Sequence, residues 1–447
     1  MTQKLAGGCL FAQSGGPTSV INASAYGVIK TSLETPEITH VYGASHGIMG
    51  ILGDTLYDLG KEDPQELSLL LNTPSSALGS CRYKIKDRSD LDRLYEVFQK
   101  HNIRYFFYNG GNDSMDTCLK VDDYLHEVGY ECRVIGVPKT IDNDLDGTDH
   151  CPGYGSAAKY IATTVAEVYH DSIVYDTGTI TIIEIMGRNA GWLTGASALA
   201  ELSGAPPDLI YLPEIPFDMG YFLYKTESMY KAKNNCLVAV SEGIRYPGGS
   251  LVSDAKPSAT DGFGHAQLGG LAATLSDIVK QRTGAKVRGI ELSLLQRCGA
   301  HLASQTDIDE AFLAGKSAVE CAVAGETGKM VAFEREQGSG GGNNGGSGNI
   351  GESGSVNTGN TAAIDAAANT GATAIGTGQY KCNVVLRPLA ICANSEKTVP
   401  REWINETGTY VTQDFIDYAL PLIQGENTRA LENGLPRFAQ LKKELVT

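Results

Sequence analysis

The sequence predicts an α/β protein built on mainly parallel sheets, and three observations lead there. A short apolar run, a Gly/Asp/Ser loop and a helical stretch recur in that order along the chain. Such alternation implies parallel strands with helices on both faces. The balance of 42% hydrophobic and 20% charged residues is that of a globular chain, neither disordered nor fibrous. At 447 residues the chain exceeds the size at which one core keeps growing, so two domains are expected.

Taken in order, the first strand is predicted at Gly8–Ala12, leading through Ser14-Gly-Gly-Pro-Thr18 into a helix over Val20–Lys30. Arg104–Tyr108 leads into Asn109-Gly-Gly-Asn-Asp-Ser114, and Val134–Val137 into Pro138-Lys-Thr-Ile-Asp-Asn-Asp144. Thr179–Ile185 leads into Met186-Gly-Arg-Asn-Ala-Gly191, and Leu237–Val240 into Ser241-Glu-Gly-Ile-Arg245. Ligands of parallel sheets bind where loops leave the carboxyl ends of strands. These loops are therefore candidates for one cleft, although they lie far apart in sequence. Met330–Glu334 and Lys381–Leu386 read as partner strands separated by residues 338–378, which are almost wholly Gly, Asn, Ser, Ala and Thr. That segment offers too little apolar surface to offset its ordering entropy and is expected to be a flexible insertion.

Composition narrows the classes. No run of about 18 apolar residues occurs, so no membrane span is expected, and the start lacks a signal-peptide pattern. The ten cysteines are scattered with no CxxC spacing; reduced thiols in a cytoplasmic protein are the simplest reading. A formal charge of -16 argues against nucleic-acid binding. It leaves room for a small anion, which a few local arginines can hold.

Some suggestive strings fail on inspection. Gly315-Lys-Ser317 has Glu310 where a Walker A loop needs glycine, and Gly328-Lys329 is followed by Met330 instead of Ser or Thr. Gly153-Tyr-Gly-Ser-Ala-Ala158 lacks the preceding strand of a dinucleotide fingerprint and reads as a helix start. The informative loops are Gly110–Ser114 and Thr140–Asp144. Adjacent glycines let backbone N–H groups approach an anion, and a following helix N-terminus favours negative charge. Asp142 and Asp144, two apart in an extended segment, would face one cleft. One could act as a general base while the other serves a divalent metal. The same pattern also suits a pair of caps and turn formers.

Ser14-Gly-Gly-Pro17, Gly110-Gly-Asn-Asp-Ser114, Pro138-Lys-Thr-Ile-Asp-Asn-Asp144, Met186-Gly-Arg188, Ser241-Glu-Gly243 and Gln296-Arg297 resemble, in order and spacing, the motifs of the phosphofructokinase family. The resemblance covers nearly the whole chain apart from 338–378. It implies two Rossmann-like three-layer α/β/α domains with the active site in the cleft between them. Residues 1–155, completed by about 296–335, would form the donor domain; 156–295, completed by parts of 379–447, would form the sugar-phosphate domain.

By the same resemblance Asp142 is expected to be the general base, with Asp144, and Asn112 beside it, on the Mg2+ side. Thr140 and Ile141 would position the sugar through the loop backbone, and Met186, Gly187, Arg188 and Glu242 would line its site. Arg82 would stabilise the transferring phosphoryl group, Gly15 and Gly16 would lie against the donor's phosphates, and Arg288 and Arg297 would grip the 6-phosphate. Lys381 or Arg387 could add to that grip. Arg288 matches a residue that reaches across a subunit interface, implying self-association as a dimer or tetramer. ATP users of the family carry glycine where this chain has Asp113 and Lys139. An aspartate at 113 opposes a nucleotide's α-phosphate by bulk and charge, and an unpaired clash at ~4 Å amounts to about 4 kcal/mol at an effective dielectric near 20. Lys139 supplies an ammonium for a compact phosphate. The pair resembles the pyrophosphate-using branch, with fructose 6-phosphate as acceptor in a reversible step of glycolysis or gluconeogenesis.

Departures set the alternatives. Asn112 stands where many members carry a metal-binding aspartate, Thr179 where many carry arginine, and Leu294 where many carry histidine. ATP or polyphosphate as donor, sedoheptulose 7-phosphate as acceptor, and a silent regulatory subunit are the rival readings; the intact Asp142, Asp144, Arg188 and Lys139 argue against the last. His46, His150, His265 and His301 fall in no matching motif and are expected to be structural or surface residues.

Overall fold

The computed structural model describes residues 5–174, 176–253, 270–336 and 380–446. The expected insertion at 338–378, like His265, lies outside the described residues.

Eleven strands form the two main sheets: β1 (Gly7–Gln13), β2 (Ile38–Ala44), β3 (Leu56–Asp58), β4 (Ile103–Gly110), β5 (Arg133–Pro138), β6 (Thr179–Ile185), β7 (Leu209–Tyr211), β8 (Asn235–Ser241), β9 (Val287–Glu291), β10 (Lys329–Arg335) and β11 (Cys382–Pro388). The helices that matter here are α1 (Ile21–Glu34), α2 (Asn112–Glu127), α3 (Tyr154–Ser172), α4 (Met219–Lys233), α5 (Leu271–Thr283), α6 (Gln305–Val323) and α7 (Gln413–Ala419). One sheet has seven strands in the order β11-β10-β5-β4-β1-β2-β3, the other four in the order β7-β8-β6-β9. Pairing is parallel except at the edges of the larger sheet, where β3 and β11 run antiparallel. The predicted pairing of the strands on either side of the insertion is the β10/β11 ladder.

Both sheets are covered on both faces, and the side-chain alternation shows it. Leu10 and Ala12 of β1 pack on one side, Cys9 and Phe11 on the other. Ile180 and Ile182 of β6 pack on one side, Ile183 and Ile185 on the other. All are buried, as the side chains of strands covered on both faces are. Helix α6, late in sequence, returns to pack on α1 of the first sheet.

Residues beyond β11 serve both halves. Val399, Ile404, Val411 and Phe415 enter the core of the second sheet beside Trp192 and Ile185. Further on, Leu445 bridges Tyr57 antiparallel, with Asp58 N donating to Glu444 O at 2.9 Å and Val446 N to Leu56 O at 2.9 Å. This segment extends the larger sheet past β3. Among the described residues no helix is long and apolar enough to cross a membrane.

Candidate active site

The loops after β1, β4, β5, β6 and β8 leave at the carboxyl ends of their strands and converge, as the sequence predicts for a parallel sheet. Lys139 follows β5 directly. Its backbone N donates to Gly110 O at 3.1 Å, and its ammonium donates to Gly16 O at 2.6 Å, so three loops meet at one side chain. The side chain is only 4% exposed. Burial first, then the charges of Arg82 and Arg297, push its pKa down to about 8 against the pull of Asp142 and Asp144. Gly16 is where those arginines arrive: a Cβ there would stand 3.2 Å from Arg297 Nη1 and 3.4 Å from Arg82 Nη2. Gly15 is stitched to the strand-like segment carrying Arg82, since Gly15 N donates to Cys81 O (3.0 Å) and Ser80 Oγ to Gly15 O (2.7 Å). Two guanidinium groups and an ammonium crowded around one glycine form a seat for a polyanion.

Asp142 faces this cluster. Burial raises its carboxyl above the usual range, opposed by Arg188 first and then by Lys139, Arg297 and Arg82. The route by which Asp142 and Asp144 share the cleft differs from the expected one. The segment is a turn, not extended chain: Asn143 has φ 56°, Asp142 N donates to Thr140 Oγ1 at 3.1 Å, and the two carboxylates still feel each other. A left-handed residue between them replaces the alternation of a strand. Ile141 has its side chain buried in the second sheet's core, where it anchors the loop and leaves only its backbone to the cleft, as expected.

Asp144 is pushed up to about 7 by burial, by Asp142 and by Glu396. Asn112, at the first turn of α2, lies beside it, 3.4 Å from Oδ2. The Asn112 amide satisfies its neighbours when its nitrogen donates to the carbonyls of Ser395 (2.9 Å) and Cys392 (3.2 Å), which turns its oxygen toward Asp144. Two oxygens facing each other beside surplus negative charge fit a hard divalent cation. The 395–397 segment was not anticipated. It bridges Leu145 through Glu396, Lys397 N donates to Asp144 O at 2.8 Å, and Asn189 donates to both Glu396 oxygens (3.2 and 3.1 Å).

On the loop after β6, Met186 N donates to Gln296 Oε1 at 3.2 Å and Gly187 N to Glu242 Oε1 at 3.4 Å. Glu242 is pushed up to about 7, by burial first and then by Asp142. Gly243 is obligatory by close approach: a Cβ there would fall 1.9 Å from the Arg188 carbonyl oxygen. Arg188, Glu242 and Asp142 are thereby one electrostatic unit.

One expectation changes. Asp113 is not an unpaired charge, because Lys84 Nζ lies 2.8 Å from its Oδ1. Lys84 was missed in sequence, although Arg82 and Lys84 stand at the spacing that puts both on one side of an extended chain. Arg288, expected to act across a subunit interface, pairs in β9 with Thr181 of β6, five residues before Met186 and so about 16 Å along the strand from the cleft of its own chain, and it binds Asp171 at 2.8 Å. Lys381 and Arg387 lie on edge strand β11 and its approach, beside Glu336 (3.8 Å) and Glu334 (2.7 Å). Leu294 is half exposed beside Gln296 and Arg297, while Thr179 is buried at the start of β6.

Residues 9–322 match the phosphofructokinase family. The pyrophosphate–fructose 6-phosphate 1-phosphotransferase of Halomonas elongata is 42% identical over 98% of this chain and 96% of its own. The enzyme of that name from Xanthomonas campestris is 41% identical over 98% and 97%. Among solved structures, a pyrophosphate-dependent phosphofructokinase from Nitrosospira multiformis superposes with a TM-score of 0.82 at 37% identity, covering 98% of each chain.

Proposed function

This chain belongs to the phosphofructokinase family, and from that premise we propose that its cleft moves a phosphoryl group from pyrophosphate to the 1-hydroxyl of fructose 6-phosphate. The products are fructose 1,6-bisphosphate and phosphate. The full-length relatives carry that activity in their names. Pyrophosphate is a weaker driving donor than ATP, so the step is reversible and usable in glycolysis or gluconeogenesis.

The observation that carries the donor is the buried Lys139 ammonium, held by Gly16 between Arg82 and Arg297, with the Asp113–Lys84 pair filling the place where ATP users keep glycine. Gly15 and Gly16 lie along the pyrophosphate. Asp142 takes the proton of the 1-hydroxyl as its oxygen bonds to the nearer phosphorus. The bond from that phosphorus to the bridging oxygen breaks, and the leaving phosphate keeps the electron pair. Lys139, Arg82 and Arg297 neutralise the charge that moves, in a desolvated site where each contact counts for more. Arg297 comes from the sugar side yet reaches Gly16, so it is placed to span both substrates. Arg188 restrains Asp142, while Met186, Gly187, Thr140 and Glu242 hold the sugar. Phosphotransferases of this family use a divalent metal; we assign Mg2+, with Asp144 and Asn112 as the residues that would hold it and charge neutralisation on the phosphate oxygens as its contribution.

Arg288, exposed and far from its own cleft, is assigned to the sugar site of a neighbouring copy, which makes the protein a homo-oligomer. All ten cysteines are free, in keeping with a cytoplasmic setting. The test is a donor panel with fructose 6-phosphate and magnesium. Turnover with pyrophosphate and little with ATP is expected; the reverse would overturn the donor assignment.

A further inference from the structure

Asn143 separates the two acids of the catalytic turn and is completely buried. Its left-handed φ of 56° is one that asparagine adopts more readily than most residues. Both ends of its side chain are engaged: Oδ1 accepts from Cys151 N at 2.9 Å, and Nδ2 donates to Tyr418 Oη at 2.7 Å. The Tyr418 hydroxyl in turn donates to Asp149 O at 2.8 Å. Its one proton is thus committed downward and its lone pair faces Asn143.

Tyr418 is itself fixed from several directions. It stands in α7 within the aromatic cluster of Trp192 and Trp403, each 5.2 Å from its ring centre. Arg335 donates to its carbonyl at 3.0 Å and lies over its ring at 4.8 Å. The same arginine binds Asp149 at 3.0 Å. Asp149 also holds His150 Nδ1 at 2.8 Å, and His150 Nε2 holds Glu310 of α6 at 2.7 Å. His150 is buried and stacks on Phe333 at 4.9 Å. Burial opposes its charge, but Glu310 and Asp149 outweigh that and push it up to about 9. A buried ionic frame of this kind is poor at adding stability and better suited to fixing one geometry. His150, Glu310 and Cys382 lie close enough to share a cation, but both ring nitrogens already face carboxylates, so the frame is the better account.

We propose that Tyr418 is a positioning residue for phosphoryl transfer, acting through Asn143 to hold the turn that presents Asp142 and Asp144 to the cleft. It touches neither substrate. It belongs to a helix far along the chain that otherwise serves the second core, so it ties the aim of the base to the packing between the two halves. This rests on the functional reading above.

Steady-state kinetics of full-length Tyr418→Phe with pyrophosphate and fructose 6-phosphate test it. The ring and its packing stay, while the acceptor of Asn143 and the donor to Asp149 O are lost. We expect kcat to fall between about 10- and 100-fold, the scale of a displaced catalytic group, with both KM values within about twofold of wild type. Trp403→Phe loosens the same cluster without touching the hydroxyl and should lower Tm while keeping kcat. Asn143→Gly tolerates the left-handed turn but lacks both bonds, and the double variant should be no slower than Asn143→Gly alone. An unchanged kcat in Tyr418→Phe overturns the proposal. So does an equal loss in Trp403→Phe, or multiplying losses in the double variant. Failure of the functional reading would be distinct, since wild type itself would then not turn over pyrophosphate.

Discussion

Replacing Lys139 by Met removes one buried charge and keeps nearly the same volume, and its effects on catalysis and stability should have opposite signs. An ammonium about 4 Å from a phosphate charge, at an effective dielectric near 20, contributes about 4 kcal/mol. Arg82 and Arg297 remain beside Gly16 and compensate in part, so kcat/KM for pyrophosphate should fall about 100- to 1000-fold. Stability moves the other way. Lys139 has its pKa pushed down to about 8 from 10.5. Each unit amounts to about 1.4 kcal/mol, which puts the burden of keeping it charged in the folded state near 3 kcal/mol. Its sign follows from proton counts. Between pH 8 and 10.5 the unfolded chain holds a proton that the folded protein has shed, so wild-type stability rises with pH across that window. The penalty is fully present below about 8 and gone above 10.5. Losing the bond to Gly16 O returns about 1 kcal/mol, leaving a net gain near 2 kcal/mol at pH 7. Denaturant melts at pH 7 and 10.5, with pyrophosphate kinetics, measure both. Unchanged pyrophosphate turnover, or a variant less stable than wild type at pH 7, would refute the reasoning.

Asp142→Asn should lower kcat by about 100- to 10,000-fold, as loss of a general base does, while calorimetry still detects fructose 6-phosphate binding. Asp113→Gly should raise the ATP-to-pyrophosphate ratio of kcat/KM at least about tenfold, because it opens space and releases Lys84 to meet a nucleotide phosphate; adding Lys84→Ala should reverse part of that gain. Gly243→Ala forces a methyl against the Arg188 carbonyl, so KM for fructose 6-phosphate should rise about tenfold or more with pyrophosphate KM nearly unaffected, as initial-rate kinetics would show. In the wild-type pH–rate profile the basic limb should fall near pH 8, where Lys139 loses its charge.

What was legible in the sequence was local. Strands such as β1, β5 and β8 were visible because their runs are largely apolar, and the site loops because Gly-Gly, Thr-Ile-Asp and Met-Gly-Arg sit directly after strands. Strands β2, β3, β7 and β9, short or interrupted by polar residues, were not predicted. Asp142 and Asp144 were paired correctly by spacing but through the wrong backbone, since nothing local marks Asn143 as left-handed until Tyr418 and Cys151 are seen holding it. Lys84, Glu396 and Tyr418 escaped for the same reason: their partners lie 29, 252 and 275 residues away, where no periodicity can signal them.

The larger sheet also has an order of assembly. Strands β1 to β5 are synthesised within the first 138 residues, yet β10 and β11 arrive only after the whole of the second sheet. The segment that pairs with β3 follows at residue 445. Emerging from the ribosome, the first half would present two unpaired strand edges, the feature most prone to join another chain. Such a molecule cannot finish its larger sheet before its smaller one. Nascent chains halted before β10 should therefore need a chaperone to stay monomeric, even though every residue of the Lys139 loop has already been made.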